Sequence, residues 1–317
     1  MNSLHLIWKI KKYAFQNKIS KVLVALSGGA DSIATAFLLL KAGIEIRALH
    51  CNFHLRGEES QRDNNFVIEF CKFHKIPLEQ KDFDIINYIS LNKSKSIEMA
   101  CRELRYRWFD VQLQKTGFHR IVTGHNADDN IETLFINLFR GTGTRGLRGM
   151  TTDTGKIWRP ILNIHRKEIL DILTEFNVSY VTDSSNLQSD YRRNFLRNKV
   201  IPLIKTEWEG FDKALDASLL YINEENKVVE YSMCSVEEMA HNNKPLTIDL
   251  ILNSPSPLLT IRRYIDITKP FPTTASEILD AIKANKPHIR KWNVRLGTIV
   301  LRGRKLTVEM GHCESSS

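Results

Sequence analysis

Lys21-Val-Leu-Val-Ala-Leu26 runs without a break into Ser27-Gly-Gly-Ala-Asp-Ser32, and an apolar helical pattern follows at once. Aliphatic residues, a glycine pair and a helix start, in that order, read as a strand, a tight turn and a helix N-terminus. Gly28 and Gly29 let the backbone turn sharply and come close to a ligand. The amides that open the helix direct a partial positive charge at the same place, which suits an anion of phosphate size. The hydroxyls of Ser27 and Ser32 can donate to phosphate oxygens, and Asp31 can hold a magnesium ion, Mg2+, whose charge offsets the phosphates. Ser27, Gly28, Gly29, Ala30, Asp31 and Ser32 therefore read as a nucleotide loop, against the plainer alternative of a serine-rich turn with Asp31 at a helix start. The kinase-type phosphate loop is excluded, because no glycine-spaced stretch ends in Gly-Lys-Ser/Thr.

Outward from this loop, apolar runs alternate with amphipathic segments. Val22 to Leu26, Ile46 to Cys51, Leu78 to Phe83 and Arg120 to Thr123 predict strands. Asp31 to Lys41, Gln61 to His74, Ser96 to Lys115 and Asp128 to Phe139 predict helices between them. That rhythm implies an α/β class: a parallel-sheet nucleotide-binding domain with helices on both faces. Ligands in such sheets sit beyond the carboxyl ends of the strands, so Ser27, Cys51 to Arg56 and Thr123 to Asp129 are expected to converge on one crevice. A helix over His165 to Phe176 and a basic helix from about Tyr191 follow. A long polar helix from about Ala217 through Glu238 then leads to a small α+β module, with a helix over Ser276 to Ala284 and strands over Gly297 to Leu301 and Leu306 to Glu309. The expected division is a catalytic domain over 1–213 and a small α+β domain, linker helix included, over 214–317.

Three further stretches bear on chemistry. Asp129 and Glu132 in Thr123-Gly-His-Asn-Ala-Asp-Asp-Asn-Ile-Glu-Thr133 lie three apart and share a helix face. Two carboxylates at a crevice can hold an ammonium group or accept its proton, although acidic residues also stabilise helix starts. Glu98-Met-Ala-Cys-Arg-Glu-Leu-Arg-Tyr-Arg-Trp108 spreads Arg102, Arg105 and Arg107 around a helix. These side chains suit either neutralisation of charge on a transferred phosphorus or a surface laced with ion pairs. Gly141-Thr-Gly-Thr-Arg-Gly146 matches a dinucleotide fingerprint by letter but follows a helix, so that reading is rejected. A loop whose Arg140, Arg145 and Arg148 touch phosphates, or a plain solvated loop, fits better.

The balance of 45 Lys+Arg against 36 Asp+Glu, net +9, is compatible with a polyanionic partner. Tyr191-Arg-Arg-Asn-Phe-Leu-Arg-Asn-Lys199 and, later, Lys286, Arg290, Lys291, Arg295, Arg302, Arg304 and Lys305 interleave basic residues with Tyr191, Phe195 and Trp292. Such surfaces suit RNA, and equally a solvated face. Five scattered cysteines without Cys-x-x-Cys argue against a zinc or iron–sulfur site. With no membrane-length apolar run and no signal-peptide pattern, the expectation is a soluble cytoplasmic protein.

Taken together, these blocks resemble one branch of the ATP pyrophosphatase superfamily, the tRNA(Ile)-lysidine synthases. The resemblance covers about the first two hundred residues. It rests on Ser27 to Ser32, His50-Cys-Asn-Phe-His-Leu-Arg-Gly-Glu-Glu-Ser60, Arg102-Glu-Leu-Arg-Tyr-Arg107, Gly124 to Thr133, Gly141-Thr-Gly with Gly146-Leu, Trp158-Arg-Pro160, and Asp183-Ser-Ser-Asn186 followed by Arg193-Asn194 and Arg197. It implies that ATP adenylates the C2 oxygen of the wobble cytidine of a tRNA with a CAU anticodon, and that the ε-amine of free lysine then displaces AMP. By the resemblance, Asp31 holds the magnesium, Arg105 and His125 support adenylation, Asp129 and Glu132 receive the lysine, and Arg193 and Arg197 bind substrate. A homodimer is implied by superfamily analogy alone.

The family often shows His-x-Asp/Asn-His where this chain has His50-Cys-Asn-Phe53 followed by His54. Longer members carry a further C-terminal domain that grips the tRNA acceptor end, beyond the first small domain reached here. The nearest rival reading is a tRNA thiolase of the same superfamily, which would need a catalytic or cluster-binding cysteine pair.

Overall fold

The computed structural model describes residues 2–55, 57–91, 96–182, 191–284 and 289–311. Arg56, Asp183 to Asn186 and Lys286, singled out above, lie outside the described residues. Two compact units emerge, one formed by 1–139 with 148–218 and the other by 140–147 with 219–317.

The first unit opens with helix α1 (Ser3–Gln16), whose N-cap Asn2 accepts from the Leu4 amide, and continues with β1 (Lys21–Ala25), α2 (Ala30–Lys41), β2 (Glu45–Asn52), α3 (Glu58–Phe73) and β3 (Leu78–Asp82). Next come α4 (Ile85–Leu91), α5 (Ile97–Thr116), β4 (Arg120–Val122), α6 (Ala127–Phe139), the short α7 (Thr144–Leu147, in the second unit), β5 (Ile157–Trp158) and α8 (Arg166–Glu175). The basic segment forms α9 (Tyr191–Phe195), a π-helical turn over Leu196–Val200 and α10 (Ile201–Glu207). The five strands are parallel in the order β3-β2-β1-β4-β5.

Alternation along β1 explains the layering. Val22 and Val24 point into a core shared with α1, α2, α3 and α8, while Leu23 points to the opposite face against Trp108 and Phe109 of α5. All three β1 side chains are fully buried, each worth roughly 1.5–3 kcal/mol on burial. The order reverses between β1 and β4, which opens the crevice at their carboxyl ends. The expected strands and helices of this unit are present within a few residues. The N-terminal helix, α4 and two-residue β5 were not anticipated.

In the second unit α11 (Phe211–His241) leads to β6 (Leu246–Thr247), α12 (Ile248–Leu252), α13 (Pro257–Ile265), α14 (Thr274–Lys283), β7 (Arg290–Val294), β8 (Gly297–Arg302) and β9 (Lys305–Met310). Its antiparallel sheet runs β6-β9-β8-β7 around a core containing Tyr264, whose hydroxyl donates to the Lys244 carbonyl at 2.7 Å. Trp292 packs against this core, so it is not the open stacking ring its basic neighbours suggested. Lys291, Arg295, Arg302, Arg304 and Lys305 are exposed. Arg145 is likewise not free for phosphates: it pairs with Glu237 at 3.1 Å, Asp266 at 3.4 Å and Glu230 at 3.7 Å, all within this unit.

Within the first unit, α6 and α8 are tied at their N-termini. Asp128 accepts from the Arg166 amide at 2.8 Å and lies 3.6 Å from the His165 ring, which also meets Asp216 at 3.1 Å. The Asp128 carboxylate holds the His165 pKa up to about 9, against the opposing effect of burial and with help from Asp216. A group with a raised folded pKa stabilises fully below its unfolded value near 6.5 and loses that contribution as pH climbs through the folded value. Chemical denaturation of wild type should therefore show stability falling between about pH 6.5 and pH 9. His165→Gln should flatten this segment of the profile.

Candidate active site

A cleft of about 710 Å³ opens at the carboxyl ends of β1, β2 and β4, lined by Ser27, Asp31, Ser32, Cys51, Arg105 and His125 among others. The three loops expected to converge do so here. Gly28 holds φ of +90°, a left-handed conformation natural to glycine, and Gly29 caps α2 without any side-chain hydrogen bond to the helix amides. The Ser32 hydroxyl accepts from the Ser27 amide at 3.2 Å and donates to the Gly29 carbonyl at 2.9 Å, so the loop is shaped before any ligand arrives.

Gly124 decides how close the β4 loop comes. A Cβ there would sit 2.8 Å from the Asp31 carbonyl carbon and oxygen and 2.9 Å from the Ser32 nitrogen. Only a residue without a side chain permits this backbone contact, which sets Asn126 to donate to the Asp31 carboxylate at 3.1 Å. Arg166, at the start of α8, grips the other Asp31 oxygen. Burial pushes the Asp31 pKa up, opposed by Arg166.

Asn126 and Asp129 cap one another: the Asn126 side chain accepts from the Asp129 amide at 2.9 Å, and the Asp129 carboxylate accepts from the Asn126 amide at 3.2 Å. Glu132, only 1% exposed, lies one helical turn on. The structure brings Asp129 and Glu132 onto one face, and Arg197 bridges both, with Nε to Glu132 at 2.6 Å and Nη2 to Glu132 at 3.0 Å and to Asp129 at 3.1 Å. Arg193 approaches Glu132 at 3.3 Å. Two arginines of the basic segment thus turn inward onto the carboxylate pair. Even so, burial keeps the Glu132 pKa above the ordinary value, against the pull of Arg197.

His125 is neutral at physiological pH. Burial drives its pKa down to about 4; Asp129 opposes this, and Arg159, Arg102 and Arg193 add to it. Its Nδ1 shares a hydrogen bond of 2.8 Å with the Thr123 hydroxyl. Arg105 lies over the Phe53 ring at 5.6 Å, and Phe53 stacks on Phe83 at 5.0 Å. The phenylalanine standing where histidine was expected is therefore a support for Arg105. His54 turns out to Asp82 at 2.6 Å, while His50 is buried with Nδ1 2.8 Å from the Leu26 carbonyl.

Cys51 and Cys101, fifty positions apart, both line the cleft, a pairing that scattered spacing did not reveal. Burial pushes the Cys51 thiol up to about 12 and raises that of Cys101, so both are protonated rather than poised as thiolates. Among the described residues no three His, Cys, Asp or Glu side chains gather to hold a metal ion. A magnesium ion at Asp31 would have to share oxygens with bound phosphates, which is its usual mode, and the hard oxygen donors of Asp31, Ser27 and Ser32 fit that requirement.

A strand, a glycine turn and an uncapped helix N-terminus at a topological switch point define a nucleotide-binding α/β domain. The chain belongs to the PP-loop domain family, whose domain matches residues 2–204 and implies ATP binding. It is similar to tRNA(Ile)-lysidine synthase of Parabacteroides distasonis, 39% identical over 249 residues covering 78% of this chain and 57% of the relative. The corresponding protein of Bacteroides thetaiotaomicron is 40% identical over 237 residues, 75% of this chain and 55% of the relative. The chain spans little more than half the length of these relatives. Among solved structures, the U34-tRNA thiolase NcsA from Methanococcus maripaludis with its [4Fe-4S] cluster shares the fold, with a TM-score of 0.55 at 17% identity over 69% of this chain and 80% of that one. No helix among the described residues is long and apolar enough to cross a membrane.

Asn126, Arg166 and Gly124 carry the site's geometry but were not assigned roles from sequence. Gly124 and Asn126 sit inside a quoted motif, whereas Arg166 lies 135 positions from its partner and gives no local signal. Gly124→Ala should cost about 1–3 kcal/mol in unfolding free energy, the range for overpacking a tight site. It should also weaken ATP binding measured by calorimetry, while an alanine at open Gly117 leaves binding intact.

Proposed function

We propose that this chain carries the adenylating and amine-transfer centre of a tRNA(Ile)-lysidine synthase. The observation that carries the reading is the carboxylate pair Asp129 and Glu132, set beside the PP-loop and already holding a cationic group, the Arg197 guanidinium. Two carboxylates that hold a guanidinium have the charge to hold a substrate ammonium in its place, which supports this reading. The names of the relatives above support tRNA(Ile) as the substrate; the reading takes a CAU anticodon as the target, free L-lysine as the amine donor and ATP as the activator.

A ring C2 oxygen is a poor leaving group, and adenylation makes its departure as AMP easy. The cytidine C2 oxygen attacks the α-phosphorus of ATP, and the bond to pyrophosphate breaks. The Ser27–Ser32 loop and the first amides of α2 hold the pyrophosphate, with Arg105 neutralising charge at the phosphorus. Asp31 would hold a magnesium ion, which would supply neutralisation of phosphate charge. His125, uncharged, adds no cation beside the base. The lysine ε-amine then attacks C2, the C2–O bond breaks, and AMP leaves with the oxygen.

Free lysine is almost wholly protonated at neutral pH, with a pKa of about 10.4, so a nearby carboxylate must take the proton. We assign that to Asp129, with Glu132 orienting the chain of the amine. Entry of the ammonium displaces Arg197 from the shared oxygens, which releases Arg193 and Arg197 toward RNA phosphates. The exposed basic residues of the second unit, Lys291, Arg295, Arg302, Arg304 and Lys305, are the tRNA-contacting set of that unit. A thiolase reading gains nothing from the protonated thiols of Cys51 and Cys101.

Labelled lysine, incubated with a CAU-anticodon tRNA transcript and magnesium, should enter the RNA only when ATP is present and should survive mild alkali, since it is bonded to a base and not to ribose. Absence of incorporation by a preparation that binds ATP would refute the reading. Asp129→Asn should lower lysine transfer by about 100-fold or more while tRNA-dependent pyrophosphate release persists. Unchanged transfer in that variant would remove Asp129 from the role of base.

A further inference from the structure

His50 takes no part in the chemistry described above, yet it lines the cleft with only 6% of its surface exposed. It stands near the carboxyl end of β2, and its ring reaches across to the end of the neighbouring β1. There Nδ1 lies 2.8 Å from the carbonyl of Leu26, the residue that precedes the nucleotide loop. A carbonyl oxygen can only accept, so Nδ1 carries the hydrogen of that bond. Burial holds the imidazole below its ordinary pKa, against the opposing effects of the Leu26 carbonyl, Asp63 and Asp82. The ring is therefore neutral at physiological pH, and with the hydrogen on Nδ1 its other nitrogen, Nε2, is a bare acceptor.

Among the described residues nothing donates to Nε2; the one hydrogen bond of the ring is that of Nδ1. Nor is Nε2 one of the unpartnered polar atoms sealed from solvent, so the small open part of the ring gives it access to the cleft. An acceptor held without a donor in a largely buried ring is a cost that a bound ligand removes. The sheet order indicates which ligand group arrives there. β1 lies between β2 and β4, so the nucleotide loop separates His50 from His125, Asp129 and Glu132, which follow β4. The donor is thus met on the side of the loop away from the amine-handling carboxylates. Phosphate oxygens accept and do not donate at neutral pH, so the phosphates in the loop leave Nε2 unmet. The nucleoside end of ATP carries the missing donors, the exocyclic amine of adenine and the ribose hydroxyls.

We propose that His50 is a nucleotide-specificity residue, whose Nε2 accepts a hydrogen bond from a donor on the nucleoside end of ATP. The inference rests on the reading of the cleft under Proposed function and deepens it. Two groups share the required chemistry, the adenine amine and a ribose hydroxyl. In the first case His50 selects the base, because a purine with oxygen in place of the amine sets an acceptor against an acceptor. In the second it selects the sugar. In both, the Leu26 carbonyl is what fixes the tautomer, so the end of β1 that feeds the nucleotide loop also prepares His50 to read the nucleoside.

The test uses the full chain, wild type against His50→Asn. The asparagine amide can still donate to the Leu26 carbonyl but offers no acceptor where Nε2 stood. Calorimetric titrations without RNA compare ATP with purine riboside triphosphate, which lacks the amine, and with 2′-deoxy-ATP and 3′-deoxy-ATP. Wild type should bind one of the three analogues about 10-fold more weakly than ATP, the effect of leaving a buried acceptor unmet. H50N should bind ATP itself about 10-fold more weakly and bind that same analogue no worse than ATP. Discrimination against purine riboside triphosphate assigns the amine, and H50N then also loses the rejection of inosine triphosphate. Discrimination against a deoxy analogue assigns the hydroxyl. A second readout needs no variant: in wild type carrying nitrogen-15 histidine, the His50 Nε2 resonance should move upfield on saturation with ATP and stay in place with the discriminated analogue. The assignment is overturned if wild type binds all four nucleotides alike, if H50N keeps the wild-type ratios, or if that resonance does not move with ATP. A structural histidine would instead weaken all four nucleotides by one common factor in H50N. Should wild type bind no ATP, the reading under Proposed function fails and this inference with it; ATP bound without discrimination overturns this inference alone.

Discussion

The contact of Gly124 with the backbone of Asp31 and Ser32 is the constraint from which the cleft follows. It brings the loop after β4 to within van der Waals distance of the nucleotide loop after β1, and it tolerates no side chain. Once the two loops touch, Asn126 reaches Asp31, its own amide fixes Asp129, and the helix that follows sets Glu132 one turn deeper. The same seating ties α6 to α8 through Asp128, which presents Arg166 to the far oxygen of Asp31. A backbone approach too close to admit a Cβ at Gly124 thus organises side chains drawn from residues 27 to 166.

Charge is the second organising feature. Asp31, Asp129 and Glu132 are concentrated near one another, and the fold answers each with a guanidinium: Arg166 for the first, Arg197 for the other two. A carboxylate buried to the degree of Glu132 is strongly destabilising without such a partner. The arginines therefore offset the cost of burying these carboxylates. On the function proposed above, binding is an exchange of partners, in which a substrate charge replaces a protein charge.

Much of this was legible in the residues. The strand, glycine pair and helix start at 21–41 state their geometry locally, because apolar periodicity and turn chemistry act over a few residues. The spacing of Asp129 and Glu132 places them on one helical face for the same reason. The inward turn of Arg193 and Arg197 was not legible, since a run such as Tyr191 to Lys199 has the composition of a solvated or RNA-facing surface. Nor was the meeting of Cys51 with Cys101, or the capture of Arg145 by Glu237 across 92 positions. Phe53 read as a departure from a pattern and proves to be a platform under Arg105.

By itself the sequence determined the alternation of strands and helices, the phosphate-sized turn at its first switch, and the identity of the carboxylates that face it. These depend on neighbours in the chain. Only the tertiary structure decided which charge answers which and how near two glycine-bearing loops come. Charge pairing acts through space, as between Asp31 and Arg166, 135 positions apart, and no local pattern records it.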